Sequence, residues 1–219
     1  QHLNQNALAD AKQLTLISWI LLGLDQQTLL RHQITLQKIS FTDCIESFSR
    51  LIASLNSLIF EITDSSVNNK LSICLLTLYN LIQGKELAGQ ECAVGSHMFD
   101  SGSLQLPHQQ KLLELVAQQE RHFELFSQLG DEALRKAWRT LQATSLHQQH
   151  LKYRQKLASA KDQQPLKTSD AHIWFELCTQ QQTEIWQIQC QLIEKMHSML
   201  KVLARQAKQD LEHTQQYLN

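Results

Sequence analysis

From residue 166 onward the chain contains neither Gly nor Pro, so nothing there marks a break in a helix. Within that run Trp174, Cys178, Gln181, Ile185, Ile188, Leu192, Met196, Met199 and Leu203 follow one another at steps of three and four. That spacing lines one face of an α-helix. A helix over 170–217, capped by Ser169 or Asp170, is about 70 Å long, and an apolar stripe of that length calls for other long helices to cover it. Gln181 is the stripe's one polar member. A residue so placed is either hydrogen-bonded at a helix crossing or in touch with a ligand.

The rest of the chain has the same character. Two prolines and six glycines in 219 residues leave room for few interruptions. The spacing predicts a helix over Leu3–Leu30, with Leu14, Ile17, Leu21 and Leu24 on one face and Trp19 beside it, and Arg31 and His32 at its end. It predicts another over Leu36–Ile62, with Ser40 or Thr42 as caps and Ile45, Phe48, Ile52, Leu55 and Ile59 as its stripe. Asp64, Ser65 and Ser66 then make a polar turn, and Asn68–Asn69 a turn or fresh cap. Gln109–Gln128 turns Leu112, Leu115, Val116, Gln119, His122, Phe123 and Phe126 inward and ends on Gly130 as a left-handed cap. Glu132–Gln142 carries Trp138. Leu146–Ala160 is short, polar and rich in His and Gln, and KDQQPLKTSD reads as a linker. Six to eight helices with short links follow, an all-α fold; spacing alone does not choose between bundle arrangements.

The central helix, Leu71–Gly102, raises the first chemical question. Leu71, Leu75, Leu78 and Ile82 mark an inward face, and the same steps continue to Lys85, Gly89 and Cys92. An inward Lys85 needs an acidic partner or a bound anion, because an unpaired buried amine is costly. If the helix rotates slightly, Lys85 instead reaches solvent along its stem and Gly89 serves close packing.

The same stretch reads GKELAGQECA, then small residues, Phe99 and Gly102, and DAHIWFELCT lies at 170–179. Both resemble signature motifs of the nitrate- and nitrite-sensing (NIT) domains of bacterial regulators. The second is an Asp-Ala-x-x-Trp-Phe-x-x-x-Thr pattern met by Asp170, Ala171, Trp174, Phe175 and Thr179. The internal GSHM at 95–98 lies inside the first motif and is read as native. The sequence departs from the family at three arginines. One becomes Cys92, one becomes Gln181, and the Gln-x-Glu-Arg-Gly-like motif of the first helix is replaced by LISWILLGLDQQ.

The resemblance implies two antiparallel four-helix bundles sharing long helices, with a ligand between them. It also implies one sensor domain over 1–219, with halves of about 1–105 and 106–219, and a C-terminal output domain beyond the chain. The candidate ligand-binding residues are Lys85, Gly89, Gln90, Cys92, Trp174, Thr179 and Gln181. Nitrate is a flat monoanion suited to paired hydrogen bonds from arginine. Without the three arginines nitrate is expected to bind weakly, so the ligand is a small molecule, nitrate or another, with Lys85, Arg121 and Arg31 as candidate substitute cations. The alternative is a helical scaffold for dimerisation or partner docking that has lost its ligand; Lys85→Met discriminates, ending a ligand response but leaving assembly intact.

Other functions are disfavoured. A net charge of −1 and a pI near 6.9 leave no basic patch for nucleic acid. The apolar stretch at Leu14–Leu24 is too short to span a bilayer. There is no G-x-S-x-G, phosphate-cradling loop or H-E-x-x-H, so no enzyme and no cofactor is expected. Glu194-x-x-His197 stands alone, and His147-x-x-His150 reads as a solvated polar face rather than a metal site. Five scattered cysteines fit reduced thiols in a cytoplasmic setting, and Cys92 beside Lys85 raises redox sensing. The chain does not begin with Met and shows no leader, as expected of a trimmed fragment. Leu211 and Leu218, a heptad apart, suit a signalling stalk or a homodimer seam through the C-terminal helix.

Overall fold

The computed structural model describes the backbone of residues 2–65 and 68–218, and the side chains of 11–63 and 68–213. Eight helices account for the described chain: α1 (His2–Asp25), α2 (Gln27–Thr35), α3 (Phe41–Ser65), α4 (Asn69–Asp100), α5 (Leu106–Leu129), α6 (Glu132–Gln142), α7 (Ser145–Ser159) and α8 (Asp170–Leu218). No strand occurs among the described residues. The long helices run antiparallel: α4 meets α5 with Asn80 beside His122 and Glu91 beside Gln119, and meets α8 with Cys92 beside Trp174 and Lys85 beside Gln189.

Two apolar cores are strung along these helices. One joins Leu78 and Leu81 of α4, Phe126 of α5, Trp138 of α6, and Ile185 and Leu192 of α8. The other joins Met98 and Phe99 of α4, Leu112 of α5, Leu157 of α7 and Trp174 of α8. Each core is thus a four-helix packing that shares α4, α5 and α8 and takes its fourth member from α6 or α7. That is the paired-bundle architecture expected from the motifs. Trp174, Cys178, Gln181, Ile185, Ile188, Leu192 and Met196 of the α8 stripe are buried, and Met199 and Leu203 at its far end are half-buried.

Two glycines let the helices approach. A Cβ on Gly84 would lie 2.5 Å from the Phe123 ring, and one on Gly95 would lie 2.5 Å from Trp174 Nε1. Only a residue without a side chain fits either contact. Gly89 has no such role, being exposed with only Gln182 near the Cβ position, at 3.9 Å.

Local capping follows the sequence in most places. Ser40 Oγ accepts from the Asp43 amide at 3.1 Å and donates to the Asp43 carboxylate, starting α3. Asn68 caps α4 through the Leu71 amide at 3.0 Å. Asp64 and Ser65, expected in a polar turn, are instead the last residues of α3, and Ser66 lies outside the described residues. The linker at 161–170 is pinned rather than loose: Leu166 is buried, its amide donates to Gly102 O at 2.9 Å, and Leu104 N donates to Gln164 O at 3.0 Å.

The structure corrects several expectations. The first predicted helix is two, broken at Gln26, where the Gln27 side-chain amide donates to Gly23 O at 3.3 Å. Its apolar face is not covered. Leu14, Ile17, Leu21 and Leu24 are exposed, as is Trp19 at 65%, because α1 packs against α3 through Ile20, Leu16 and Gly23 and meets no third layer. Gly130 is not left-handed; its φ of −64° and ψ of 149° lead directly into Asp131, the N-cap of α6, which accepts from Leu134 N at 3.0 Å. The α7 face is not solvated, since His150, Arg154 and Leu157 are buried.

Candidate functional site at the junction of the two cores

Polar side chains meet where one core gives way to the other. Glu91 of α4 is 0% exposed. Arg154 of α7 donates to it from Nε and from Nη2, each at 2.7 Å. The same Nη2 donates to Gln119 Oε1 at 2.8 Å, and Gln119 Nε2 returns a bond to Glu91 Oε2 at 2.8 Å. The three groups close a ring of charge-assisted hydrogen bonds, which is what an ion pair needs to survive burial. The remaining guanidinium nitrogen, Nη1, points to Glu120 Oε1 at 3.9 Å.

Two histidines one and two turns before Arg154 complete the α7 face. His150 stacks on Trp174 with ring centroids 4.9 Å apart and holds Nε2 4.0 Å from Glu91. Burial, aided by the Arg154 charge and by His147, pushes its pKa down to about 3. Burial and Arg154 also lower that of His147. Both imidazoles are therefore neutral near pH 7, and the Nδ1 atom of each is buried without a partner.

A cleft of about 470 Å³ opens beside this ring, walled by α5, α6, α7 and α8. Arg154, Gln119, His147 and Gln181 supply its polar lining, Phe123 and Trp138 its aromatic wall, and Glu120 and Glu124 line it as well. Gln181 is 4% exposed and its Oε1 has no hydrogen-bond partner. An unsatisfied buried acceptor costs about 1–3 kcal/mol, and Gln181 carries one at the wall of the cleft.

The residues singled out from the sequence do not converge. Gln181 lines the cleft. Trp174 lies behind it, fully buried, donating from Nε1 to Cys92 O at 2.9 Å and so fastening α8 to α4. Cys92 is half-buried against Cys178; a hydrogen bond from that neighbour lowers its pKa, while burial pushes Cys178 up. Lys85 lies elsewhere on the α4–α8 seam, half-buried with Nζ 3.4 Å from Gln189 Oε1, its pKa lowered by burial. Gln90 faces α3, donating to Ser49 Oγ at 3.0 Å and Glu86 Oε1 at 2.9 Å. Gly89 and Thr179 are exposed, and the Thr179 hydroxyl turns back to Phe175 O.

Glu91, Arg154, His147 and His150 went unselected. Glu91 lies inside the GKELAGQECA motif, and the trace of the other three is the spacing His147, His150, Arg154, Leu157, a three-four-three stripe ending in Leu. Among the described residues no group of three or more His, Cys, Asp or Glu is placed to hold a metal ion, and no helix is long and apolar enough to cross a membrane.

Comparison with known proteins places this geometry in context. The family model described as nitrate and nitrite sensing matches residues 2–197. The nitrate regulatory protein of Klebsiella oxytoca is 31% identical over 107 residues, which is 49% of this chain and 27% of that protein. A solved structure of the NasR transcription antiterminator superposes with a TM-score of 0.79 at 23% identity, over 88% of this chain and 52% of that one. The chain spans about a quarter of the curated relative and about half of the structural one.

Proposed function

We propose, from the premise that this chain belongs to the nitrate- and nitrite-sensing family, that it is the signal-input domain of a bacterial regulator and binds a small ligand in the cleft at Gln181. The observation that carries this reading is Gln181, a buried side chain with an unpartnered Oε1 that lines a cleft whose other walls belong to α5, α6 and α7. Gln181 sits on α8, which continues to Leu218. A ligand bonded to Gln181 and resting on α5–α7 draws α8 against the other three helices. Small shifts of a packed helix are a recurrent way of passing a binding event onward, here toward an output domain C-terminal to α8 in a cytoplasmic regulator.

Thermal unfolding with nitrate, nitrite and a panel of small polar molecules tests the reading. A ligand at a hundred times its Kd adds about 2.7 kcal/mol, and the added stability is expected to vanish in Gln181→Met. A panel without effect, or a shift indifferent to that substitution, defeats the cleft as the ligand site.

A second reading rests on a separate observation. The uncovered apolar side chains of α1, with Leu200, Val202 and Leu211 exposed on α8, suit a scaffold that docks a second copy. Of the expected heptad pair, the Leu218 side chain lies outside the described residues. Sedimentation of wild type against Leu21→Glu and Leu211→Glu separates the two readings, since only the scaffold loses self-association.

A further inference from the structure

We propose that Cys92 and Cys178 form a dithiol site that a peroxide oxidises to a reversible disulfide between α4 and α8. The inference is independent of what occupies the cleft.

The first argument is that the fold brings the two sulfurs together. Cys92 and Cys178 belong to different helices far apart in the chain. Their side chains meet in the second apolar core, where the thiols are hydrogen-bonded to each other. The backbones are fastened at the same place. Trp174, one turn before Cys178 on α8, donates from Nε1 to Cys92 O at 2.9 Å, and Gly95 leaves room for the Trp174 ring against α4. Cys92 stands where the resemblance leads one to expect arginine, and Cys178 falls on an unspecified position of the second motif, so the pair is part of neither signature.

The second argument is that the two thiols differ as an attacking and a resolving thiol must. Cys92 is half-buried, within reach of a small oxidant, whereas Cys178 is 3% exposed. The hydrogen bond from Cys178 lowers the Cys92 pKa, and burial pushes that of Cys178 up. The thiolate is the nucleophile, so Cys92 attacks and Cys178 keeps its proton for the second step. Lys85, the cation expected to activate Cys92, is bonded to Gln189 instead.

The Cys92 thiolate attacks one peroxide oxygen and the O–O bond breaks. The leaving hydroxide takes up the proton that Cys92 gave up, so one water forms and Cys92 becomes a sulfenic acid. The Cys178 sulfur then attacks the Cys92 sulfur, the S–O bond breaks, and the hydroxyl departs with the Cys178 proton as a second water. The two thiols lose two electrons and hydrogen peroxide gains them. The bond ties α8, the helix that carries Gln181, to α4.

The test treats the whole chain, reduced and then freed of reductant, with hydrogen peroxide. Remaining thiols are alkylated after unfolding and counted by mass spectrometry, starting from five free cysteines. The expected result is a fall of two in that count, through a bond within one chain, restored by dithiothreitol. Digestion after glutamate assigns the bond in wild type itself, because cleavage at Glu184 parts Cys178 from Cys190. Cys92→Ser should keep every remaining thiol reduced, and Cys178→Ala should form no disulfide. A count that stays at five under peroxide sufficient to oxidise free cysteine overturns the inference. So does a bond that includes Cys44, Cys74 or Cys190, or one formed only between two chains.

Discussion

Replacing Arg154 by Met is the sharpest test of the buried ring. Glu91 is 0% exposed and takes three of its hydrogen bonds from two side chains, two of them from Arg154 at 2.7 Å. With the guanidinium gone, the carboxylate keeps only the Gln119 amide, and Gln119 Oε1 loses its own donor. Stranding one partner of a buried ion pair costs about 3–5 kcal/mol. In a domain of this size each kcal/mol moves Tm by about 2–4 °C, so the variant should melt roughly 6–20 °C below wild type. Urea unfolding followed by circular dichroism should show a lower midpoint at an unchanged slope. The diagnostic is the double variant Glu91→Met/Arg154→Met. Once the carboxylate is removed the second loss is nearly harmless, giving a coupling energy of about 2 kcal/mol or more. A single Arg154→Met cost below about 1 kcal/mol, or additive costs in the double variant, would refute the ring as a buried ion pair.

Three further outcomes follow from the geometry. Gly84→Ala, whose Cβ would fall 2.5 Å from the Phe123 ring, should destabilise by about 1–3 kcal/mol. Gly89→Ala, exposed in mid-helix, should stabilise by about 0.5–1 kcal/mol; the pair is read from two thermal melts, and equal shifts would contradict the helix phase. His150 has its folded-state pKa lowered to about 3, so it contributes stability above the unfolded value near 6.5 that is lost as pH falls toward 3. At pH 5 the loss should be about 2 kcal/mol, and His150→Phe should flatten that part of the stability profile; an unchanged acid slope would count against a buried neutral imidazole. Gln181→Met, without ligand, should gain about 1 kcal/mol by removing an unpartnered acceptor, seen as a raised midpoint in urea.

How much of this could be read from the sequence depends on how many faces of a helix are covered. The stripe of α8 was legible from Trp174 to Met196 because one face of that helix is covered and most side chains between are exposed or half-buried, Leu177 being the buried exception. The phase of α4 was not, because α3, α5, α7 and α8 all pack on it and apolar residues then stand on nearly every side. The steps through Leu71, Leu75 and Leu78 were continued to Lys85, Gly89 and Cys92. The positions that meet α5 and α8 lie one residue earlier at Gly84, Ala88 and Glu91, and then at Gly95. A stripe judged by hydrophobicity prefers Cys92 to Glu91 as its inward member. Glu91 is inside only because Arg154, 63 positions along the chain, neutralises it. Nothing local announces that partner.

The same reasoning explains α7, whose His147 and His150 read as a solvated face and whose Arg154 was not singled out. Each is tolerable inside only in company: the imidazoles neutral, one of them stacked on Trp174, and the guanidinium bonded to Glu91 and Gln119. Polar residues spaced at three and four on a short helix are therefore a signal in their own right when the spacing ends in an apolar residue, as His147, His150, Arg154 and Leu157 do. Cys92 and Gln181, where the resemblance leads one to expect arginines, are then not a simple loss of charge. A guanidinium stands in the same junction on α7, but it arrives already paired with Glu91. The junction thus keeps an arginine, with its Nε and Nη2 committed to Glu91 and Gln119.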